Sequence, residues 1–132
     1  ADLSQEGIRQ AGHAIECRIY AENSAKMFLP APGPLEVFQL PEPDVGVRID
    51  VGVREGDRIT PHYDPLIAKL ICCGADRGQA IERSLAALRK SAIEGIHSNL
   101  KFLIKVLEHP AFRTGDVHTG FVDAHRPELV VT

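Results

Sequence analysis

The sequence predicts an α+β fold, in which an antiparallel β-sheet formed by the N-terminal half is followed by two main helices. Three observations support this. The first half alternates apolar and polar residues, prolines and glycines interrupt it repeatedly, and the second half changes to helical spacing. With 132 residues, the chain is about one domain long. We expect the domain to span residues 12–126, with residues 1–11 a linker from an upstream region and residues 127–132 a tail.

Four segments of the first half are predicted to be strands. Residues 15–22 alternate strictly between apolar and polar side chains, the two-residue period of a half-buried strand. Prolines then break the pattern at residues 30–34 and again at 41–46. Further strands are predicted at residues 35–40, 47–53 and 66–73.

The second half of the sequence predicts helices. Asp76 is suited to cap a helix whose apolar residues keep helical spacing and which ends near Gly95. Ser98 is suited to cap a second helix, which Pro110 closes. Residues 119–125 are predicted to form one more short helical turn.

Composition narrows the function classes. The net charge is -3 and the pI about 6.1, which argues against binding nucleic acid or an acidic membrane through a basic face. No stretch approaches the roughly 20 apolar residues of a membrane span. Cys17, Cys72 and Cys73 give no disulfide framework, which favours a reducing compartment, and the adjacent pair is interpreted as small hydrophobes in an apolar run.

Familiar catalytic and metal-binding motifs are missing from the sequence. There is no G-x-S-x-G elbow, no glycine-rich phosphate loop and no C-x-x-C spacing. The six histidines lack H-E-x-x-H or H-x-H spacing, so we expect no metal site; they are His13, His62, His97, His109, His118 and His125. By chemistry alone, the chain lacks the parts of a self-sufficient active site.

Two charged features stand out. The first is the polar face of the first strand, on which Arg18 is flanked by Glu16 and Tyr20. The second is the proline-fixed segment 61–65, which presents a histidine, a tyrosine and a carboxylate before Lys69. Taken alone, the first feature is more typical of a solvated strand face, and the second of a rigid surface turn, than of a functional site.

Several segments, in this order, resemble the C-terminal domain of biotin carboxylase. The resemblance runs from about residue 12 to residue 123. It is carried by the segments Gly-His-Ala-Ile-Glu-Cys-Arg-Ile-Tyr-Ala-Glu (12–22), Phe-Leu-Pro-Ala-Pro-Gly (28–33), Gly-Val-Arg (46–48), Tyr-Asp-Pro-Leu-Ile-Ala-Lys-Leu-Ile (63–71), Asp-Arg (76–77) and Glu-Gly-Ile-His-Ser-Asn (94–99).

The resemblance implies an enzyme that carboxylates the ureido nitrogen of biotin, using bicarbonate, ATP and Mg²⁺. In that family the nucleotide and magnesium sites belong to a preceding ATP-grasp region, so the isolated fragment is expected to bind no cofactor and to be inactive. The family's arginine in the Glu-Cys-Arg segment corresponds to Arg18. Its implied role is to face bicarbonate and the ureido oxygen of biotin and to stabilise the charge that develops there.

Other site residues carry over from the same resemblance. Asp64 is expected to orient Arg18, and Glu16 is a further candidate for that task. Thr119 is expected to lie near the nucleotide. Val45 and Arg48 fall in a stretch that contributes to a homodimer contact in free-standing enzymes, and Val45 departs from the family pattern because those enzymes have an aromatic residue at its position.

The segment at residues 115–119, together with Glu-Gly-Ile-His-Ser-Asn, resembles α subunits of acyl-CoA carboxylases of the 3-methylcrotonyl-CoA or propionyl-CoA/acetyl-CoA type. The implied partners are the upstream ATP-grasp region and a biotinyl carrier domain of the same chain, and a carboxyltransferase subunit. No nucleic acid or membrane partner is expected. The implied location is the bacterial cytoplasm, or the mitochondrial matrix in a eukaryote.

Two alternatives remain open at this point. The first is a binding module like the biotinyl carrier domain, which displays a lysine between methionines at a hairpin tip. Here Lys26 precedes Met27 but follows Ala25, which departs from that signature. The second is a purely structural lobe that carries no catalytic residue.

Overall fold

The predicted α+β fold is confirmed by the computed structural model, which describes residues 4–130. The strands in that part of the chain are β1 (His13–Tyr20), β2 (Glu22–Asn23), β3 (Leu29–Pro30), β4 (Gly33–Pro34), β5 (Val37–Gln39), β6 (Val47–Val51), β7 (Arg58–Ile59), β8 (Leu66–Gly74) and β9 (Ala92–Glu94). The α-helices are α1 (Arg77–Arg89), α2 (Leu100–Glu108), α3 (Pro110–Thr114), α4 (Phe121–Ala124) and α5 (Arg126–Leu129).

The centre of the fold is a three-stranded antiparallel sheet in the order β1-β8-β6. The alternation in β1 turns Ile15, Cys17 and Ile19 into the core and leaves the polar residues between them on the opposite face. All three of these strands lie close to where the sequence predicts them, because the alternation in β1 and the short apolar run in β8 are local properties of the sequence. The remaining strands form short two-stranded pairs, β2-β3, β4-β7 and β5-β9.

Helix α1 covers the apolar face of this sheet. The predicted cap is confirmed, since the Asp76 carboxylate accepts a hydrogen bond from the backbone N–H of Gln79 at 2.8 Å. The apolar side of the helix, which includes Ile81, Leu85 and Leu88, is buried in the same cluster as the inward residues of β1 and β8. Burying this face against the sheet is what fixes α1 in place.

The predicted end of the first helix is wrong. Residue Ala92 keeps helical spacing, but α1 ends at Arg89 and Ala92–Glu94 form β9, which pairs antiparallel with β5. Gly95 then turns the chain with a φ of +91°, where a Cβ atom would lie 2.9 Å from the backbone nitrogen of Glu36. This turn delivers the following residues to the end of β1.

The start of the second helix also differs from the prediction. The residue at its N-terminal boundary is Asn99 rather than Ser98. The helix stops before Pro110 as predicted, and the proline begins the next helix, α3. Residues 121–124 form the helical turn expected near the end of the domain.

The sequence predicts that both ends of the described chain lie outside the domain. Residues 4–11 are exposed and contain only a 3₁₀ turn at Gln5–Gly7. Helix α5, by contrast, lies mostly within the predicted tail and buries Leu129 beside Phe102 and Phe121. Residues 1–3 and 131–132 lie outside the described part. Within residues 4–130, no helix is long and apolar enough to cross a membrane.

Candidate functional site

The face of the central sheet opposite α1 carries a row of charged side chains. The strand register places Arg18 directly opposite Lys69, and Lys69 directly opposite Asp50, so that the three residues cross the sheet from β1 to β6. Directly opposed residues share one face of a sheet, with Cβ atoms about 4.5–5.5 Å apart. The pairing therefore brings two cations together, an arrangement that becomes favourable when an anion lies between them.

Arg18 lies in the middle of β1, with its side chain 47% exposed. Its Nε and Nη2 atoms donate to the hydroxyl of Tyr20, at 3.2 and 3.0 Å. Its Nη1 atom forms a longer contact with Glu16 Oε1, at 3.4 Å. The hydrogen bond with Tyr20 raises the pKa of the Arg18 guanidinium above its usual value, and Glu16 adds to this effect, so the group stays charged.

A guanidinium has more N–H donors than these contacts use. The Tyr20 hydroxyl occupies the side of the fork that includes Nε, and Glu16 reaches only Nη1. The remaining N–H donors, on Nη1 and Nη2, form no hydrogen bond with any of the described residues. This is the arrangement that a planar anion requires.

Arg48, a second arginine on the same face of the sheet, is paired with a carboxylate rather than with a hydroxyl. Arg48 donates through Nε and Nη2 to both carboxylate oxygens of Asp50, each at 2.9 Å. The bidentate hydrogen bond with Arg48 holds the pKa of the Asp50 carboxyl below its usual range, and Lys69 contributes a further lowering. The charge of Arg48 is therefore matched by Asp50, whereas Arg18 has no such bidentate partner in the described chain.

Of the two residues expected to orient Arg18, only Glu16 contacts it. Glu16 forms an ion pair with it. The Asp64 carboxylate instead accepts a hydrogen bond from the backbone N–H of Leu66 at 2.8 Å, and no hydrogen bond or ion pair within residues 4–130 joins it to Arg18. Because Leu66 pairs with Tyr20, Asp64 does lie near the same end of β1. Its orienting role stays a prediction.

The remaining predicted site residues lie in exposed segments. Val45 is 87% exposed in the loop before β6, and Arg48 is exposed on β6 itself. Thr119 is exposed in the loop between α3 and α4. The predicted roles of these residues, in a dimer contact and beside the nucleotide, stay predictions.

The three cysteines fall into two classes. Cys17 and Cys72 are buried, as expected of small hydrophobes, but Cys73 is exposed. The interpretation of the adjacent pair as small hydrophobes in an apolar run therefore fits Cys72 but not Cys73, because β8 alternates at its end and turns the Cys73 side chain to the surface. Burial raises the pKa of the Cys17 thiol to about 12, with smaller contributions from Cys72 and Glu16, so Cys17 is not a nucleophile.

The spacing of the histidines in the sequence does not indicate one cluster of potential metal ligands that the structure brings together. Ligand atoms of His109, His125 and Glu128 lie within 4.8 Å of one another. The Nδ1 atom of His109 accepts the backbone N–H of Ala111 at 3.3 Å, so the neutral ring carries its proton on Nε2, which faces Glu128 Oε2 at 3.1 Å. In this tautomer Nε2 donates to Glu128, so the contact is a hydrogen-bonded link between His109, at the N-terminal boundary of α3, and α5.

Sequence reasoning missed one buried polar residue next to the site. Asn99 is 4% exposed and hydrogen-bonds the backbone of both Arg18 and Tyr20. Asn99 closes the Glu-Gly-Ile-His-Ser-Asn segment, which contributes to the family resemblance and to the predicted start of a helix, but the sequence alone assigns no role to Asn99 itself. Nothing in the local sequence shows that an asparagine there contacts a strand about 80 residues earlier.

Comparisons with known proteins show which family the chain resembles. The sequence pattern of the family described as the biotin carboxylase C-terminal domain matches residues 16–124. The chain is 43% identical over 130 residues to the mitochondrial methylcrotonoyl-CoA carboxylase subunit alpha of Rattus norvegicus, covering 98% of this chain and 18% of that protein. It is 47% identical over 123 residues to biotin carboxylase 2 of Bacillus subtilis, covering 93% of this chain and 27% of that protein.

A solved structure supports the same assignment. The biotin carboxylase domain of 2-oxoglutarate carboxylase from Hydrogenobacter thermophilus, crystallised as a dimer with MgADP, ADP and bicarbonate, superimposes with a TM-score of 0.92 at 35% identity. The match covers 100% of this chain and 29% of that chain. The present chain therefore spans between about a fifth and a third of the length of these relatives.

Proposed function

Because the chain belongs to the family of biotin carboxylase C-terminal domains, we propose that it is the closing lobe of a biotin carboxylase and supplies Arg18 to the reaction. The reaction is the ATP- and bicarbonate-dependent carboxylation of biotin. The single observation that carries the proposal is the guanidinium of Arg18, which is held on one side by Tyr20 and open to a ligand on the other. The carboxylase that contains the lobe would be an acyl-CoA carboxylase α subunit, of the 3-methylcrotonyl-CoA or a related type.

The donor set of Arg18 fits both proposed ligands. Bicarbonate presents a planar pair of oxygens that matches the fork of a guanidinium. Biotin supplies the ureido nitrogen that receives the carboxyl group, and negative charge develops on the adjacent ureido oxygen as that nitrogen loses its proton. A fixed cation at that oxygen stabilises the transition state more than the ground state. Lys69, directly across the sheet, adds positive potential at the same place.

The other components of the reaction would come from outside the described residues. ATP and Mg²⁺ need a phosphate-binding loop and clustered carboxylates. The described ligand cluster at His109, His125 and Glu128 offers nitrogens, which Mg²⁺ does not prefer. We therefore assign the nucleotide, the metal and the base that activates bicarbonate to an upstream ATP-grasp region. A carrier domain would deliver biotin, and a carboxyltransferase subunit would use the product.

The carrier-module alternative lacks the signature of such a module. Lys26 does lie in the loop that joins the paired strands β2 and β3, at the end of a 3₁₀ turn at Ser24–Lys26, but it follows Ala25 and is not placed between two methionines. Helices also make up much of the second half of the described chain.

The proposal is tested by replacing Arg18→Ala in the full-length subunit and measuring biotin carboxylation at saturating ATP. We expect the rate to fall about 10²- to 10³-fold, as when one oxyanion donor is lost. The KM for ATP should stay unchanged, because Arg18 is not assigned to the nucleotide.

The matched control is Arg89→Ala. Arg89 is also exposed and ion-paired, with Glu108 at 2.7 Å, but it lies at the end of α1, which packs on the other face of the sheet. This variant should keep the parental rate. If Arg18→Ala and Arg89→Ala carboxylate biotin equally well, Arg18 has no catalytic role and the chain is a structural lobe.

A further inference from the structure

Asn99 is a buried polar side chain whose hydrogen bonds converge on the backbone of the proposed catalytic strand. Its Oδ1 atom accepts from the N–H of Tyr20 at 2.8 Å, and its Nδ2 atom donates to the carbonyl of Arg18 at 3.1 Å. Its own N–H donates to the carbonyl of Tyr20 at 3.2 Å. A single residue thus satisfies three backbone groups of the two residues that form the site.

The position of Asn99 at the start of a helix does not explain these contacts. An asparagine at a helix N-terminus ordinarily accepts a hydrogen bond from an N–H of the first turn. Asn99 makes no such side-chain contact, and only its backbone carbonyl enters the helix, accepting from Leu103 at 2.9 Å. The side chain is turned toward β1, at the expense of a cap for α2.

The strand segment that Asn99 contacts is one that needs support. β1 lies at an edge of the central sheet, and edge strands leave backbone groups unpaired on their outer side. The register between β1 and β8 also shifts between Ile19 and Tyr20, because Tyr20 pairs with Leu66 and residue 67 is skipped. A bulge of this kind re-aims the side chains around it. Asn99 fixes the strand at this irregular point.

Tyr20 links the position of its own backbone to that of the Arg18 guanidinium. Its hydroxyl accepts from Nε and Nη2 of Arg18, and the Arg18 guanidinium carbon lies 5.8 Å from the centre of the Tyr20 ring. A tyrosine ring has only two side-chain torsions, so its hydroxyl is placed mainly by its backbone. The Asn99 side chain therefore fixes the backbone of Tyr20, and the Tyr20 hydroxyl in turn holds the guanidinium of Arg18.

We propose that Asn99 and Tyr20 are positioning residues that together aim the guanidinium of Arg18 at its anion. The inference rests on the proposed function and adds two residues to it. Without the hydroxyl, Arg18 keeps its charge but samples several side-chain orientations, of which only some present the free donors. A small misplacement of a catalytic group costs up to about 10²-fold in rate.

The test uses Tyr20→Phe and Asn99→Asp in the full-length subunit. Tyr20→Phe removes only the hydroxyl and keeps the ring. Asn99→Asp keeps the acceptor for the Tyr20 N–H but loses the donor to the Arg18 carbonyl. We expect each variant to lower kcat/KM for bicarbonate about 10- to 100-fold. The KM for ATP should be unchanged, and more phosphate should be released per biotin carboxylated.

These readouts separate positioning from simple loss of folded protein. Unfolding removes active enzyme without changing the KM values or the ratio of phosphate to carboxylated biotin. The control Ser84→Ala, which removes a buried hydroxyl that bonds Ala80 within α1, should change neither. If Tyr20→Phe and Asn99→Asp behave like this control, the positioning role is excluded.

Double variants distinguish this inference from the function on which it rests. If Tyr20 acts through Arg18, adding Tyr20→Phe to Arg18→Ala lowers the rate no further, because the two changes share one interaction. Fully additive losses would overturn the inference and leave the role of Arg18 intact. An unimpaired Arg18→Ala variant would instead overturn the proposed function itself.

Discussion

At the scale of single residues, two arginines on one face of the sheet differ in the partner that each has. Arg48 has a carboxylate that accepts from two of its nitrogens, at 2.9 Å each. Arg18 has a neutral hydroxyl in the equivalent position and a carboxylate only at 3.4 Å. A neutral partner holds a guanidinium without cancelling its charge. Arg18 is therefore the residue that remains able to bind an anion.

Glu22, beside the same network, supplies a pH-dependent test. Burial raises the pKa of its carboxyl above the ordinary value of 4.5, and a hydrogen bond with Asn99 opposes part of this shift. The folded chain therefore holds this proton more tightly than the unfolded chain does. The resulting contribution to stability is full below about pH 4 and is lost as the pH rises through the raised pKa.

We therefore expect Glu22→Gln to unfold at a higher temperature than the parent at pH 7, with the difference disappearing near pH 4. Thermal melts across this range measure the effect. Glu6→Gln, at an exposed position, controls for the lost charge. A difference in unfolding temperature that is constant with pH, or largest in acid, would contradict the raised pKa of Glu22.

The site itself was only partly predictable from sequence. The alternation in β1 placed Glu16, Arg18 and Tyr20 on one polar face, because a two-residue period is local. The contact of Asn99 with Arg18 spans 81 residues and depends on how β9 and α2 dock against the sheet. A tertiary hydrogen bond of that separation leaves no local periodicity to detect.

At the scale of elements, the strands and helices that were predicted correctly are those with a strong local pattern. β1, β8 and α1 each carry a clear apolar face, and α1 has an acidic cap. β9 was missed because three residues with acceptable helix spacing become a strand only through pairing with β5. The two-residue strands are likewise products of tertiary pairing.

The cap of α1 can be tested directly. Asp76→Ala removes the acceptor of the Gln79 N–H and should lower the free energy of unfolding by about 1 kcal/mol. Urea denaturation followed by circular dichroism measures this change. Asp76→Asn keeps an acceptor and should lose much less. Equal losses in both variants would show that the negative charge at the helix terminus, rather than the hydrogen bond, stabilises α1.

At the scale of the whole molecule, the two faces of the sheet have different tasks. One face is closed by α1 and belongs to the core, and the other carries Arg18, Lys69, Arg48 and Asp50 toward solvent. These charged groups are thus concentrated on the face that, under the proposed function, the rest of a carboxylase would cover. One face of the sheet is buried in the core, and the other carries the proposed site.

This division predicts that the isolated 132 residues bind ATP negligibly. Phosphate groups bind preferentially at helix N-termini that have free N–H groups and a positive electrostatic potential around them. Here the N-terminus of α1 is occupied by the Asp76 carboxylate, and the chain has a net charge of -3. Isothermal titration calorimetry on the isolated chain, with a cooperative thermal melt to establish that it is folded, measures the affinity. The full-length subunit in the same titration is the positive control. Micromolar binding by the isolated chain would place part of the nucleotide site in this lobe and contradict its assignment to the upstream region.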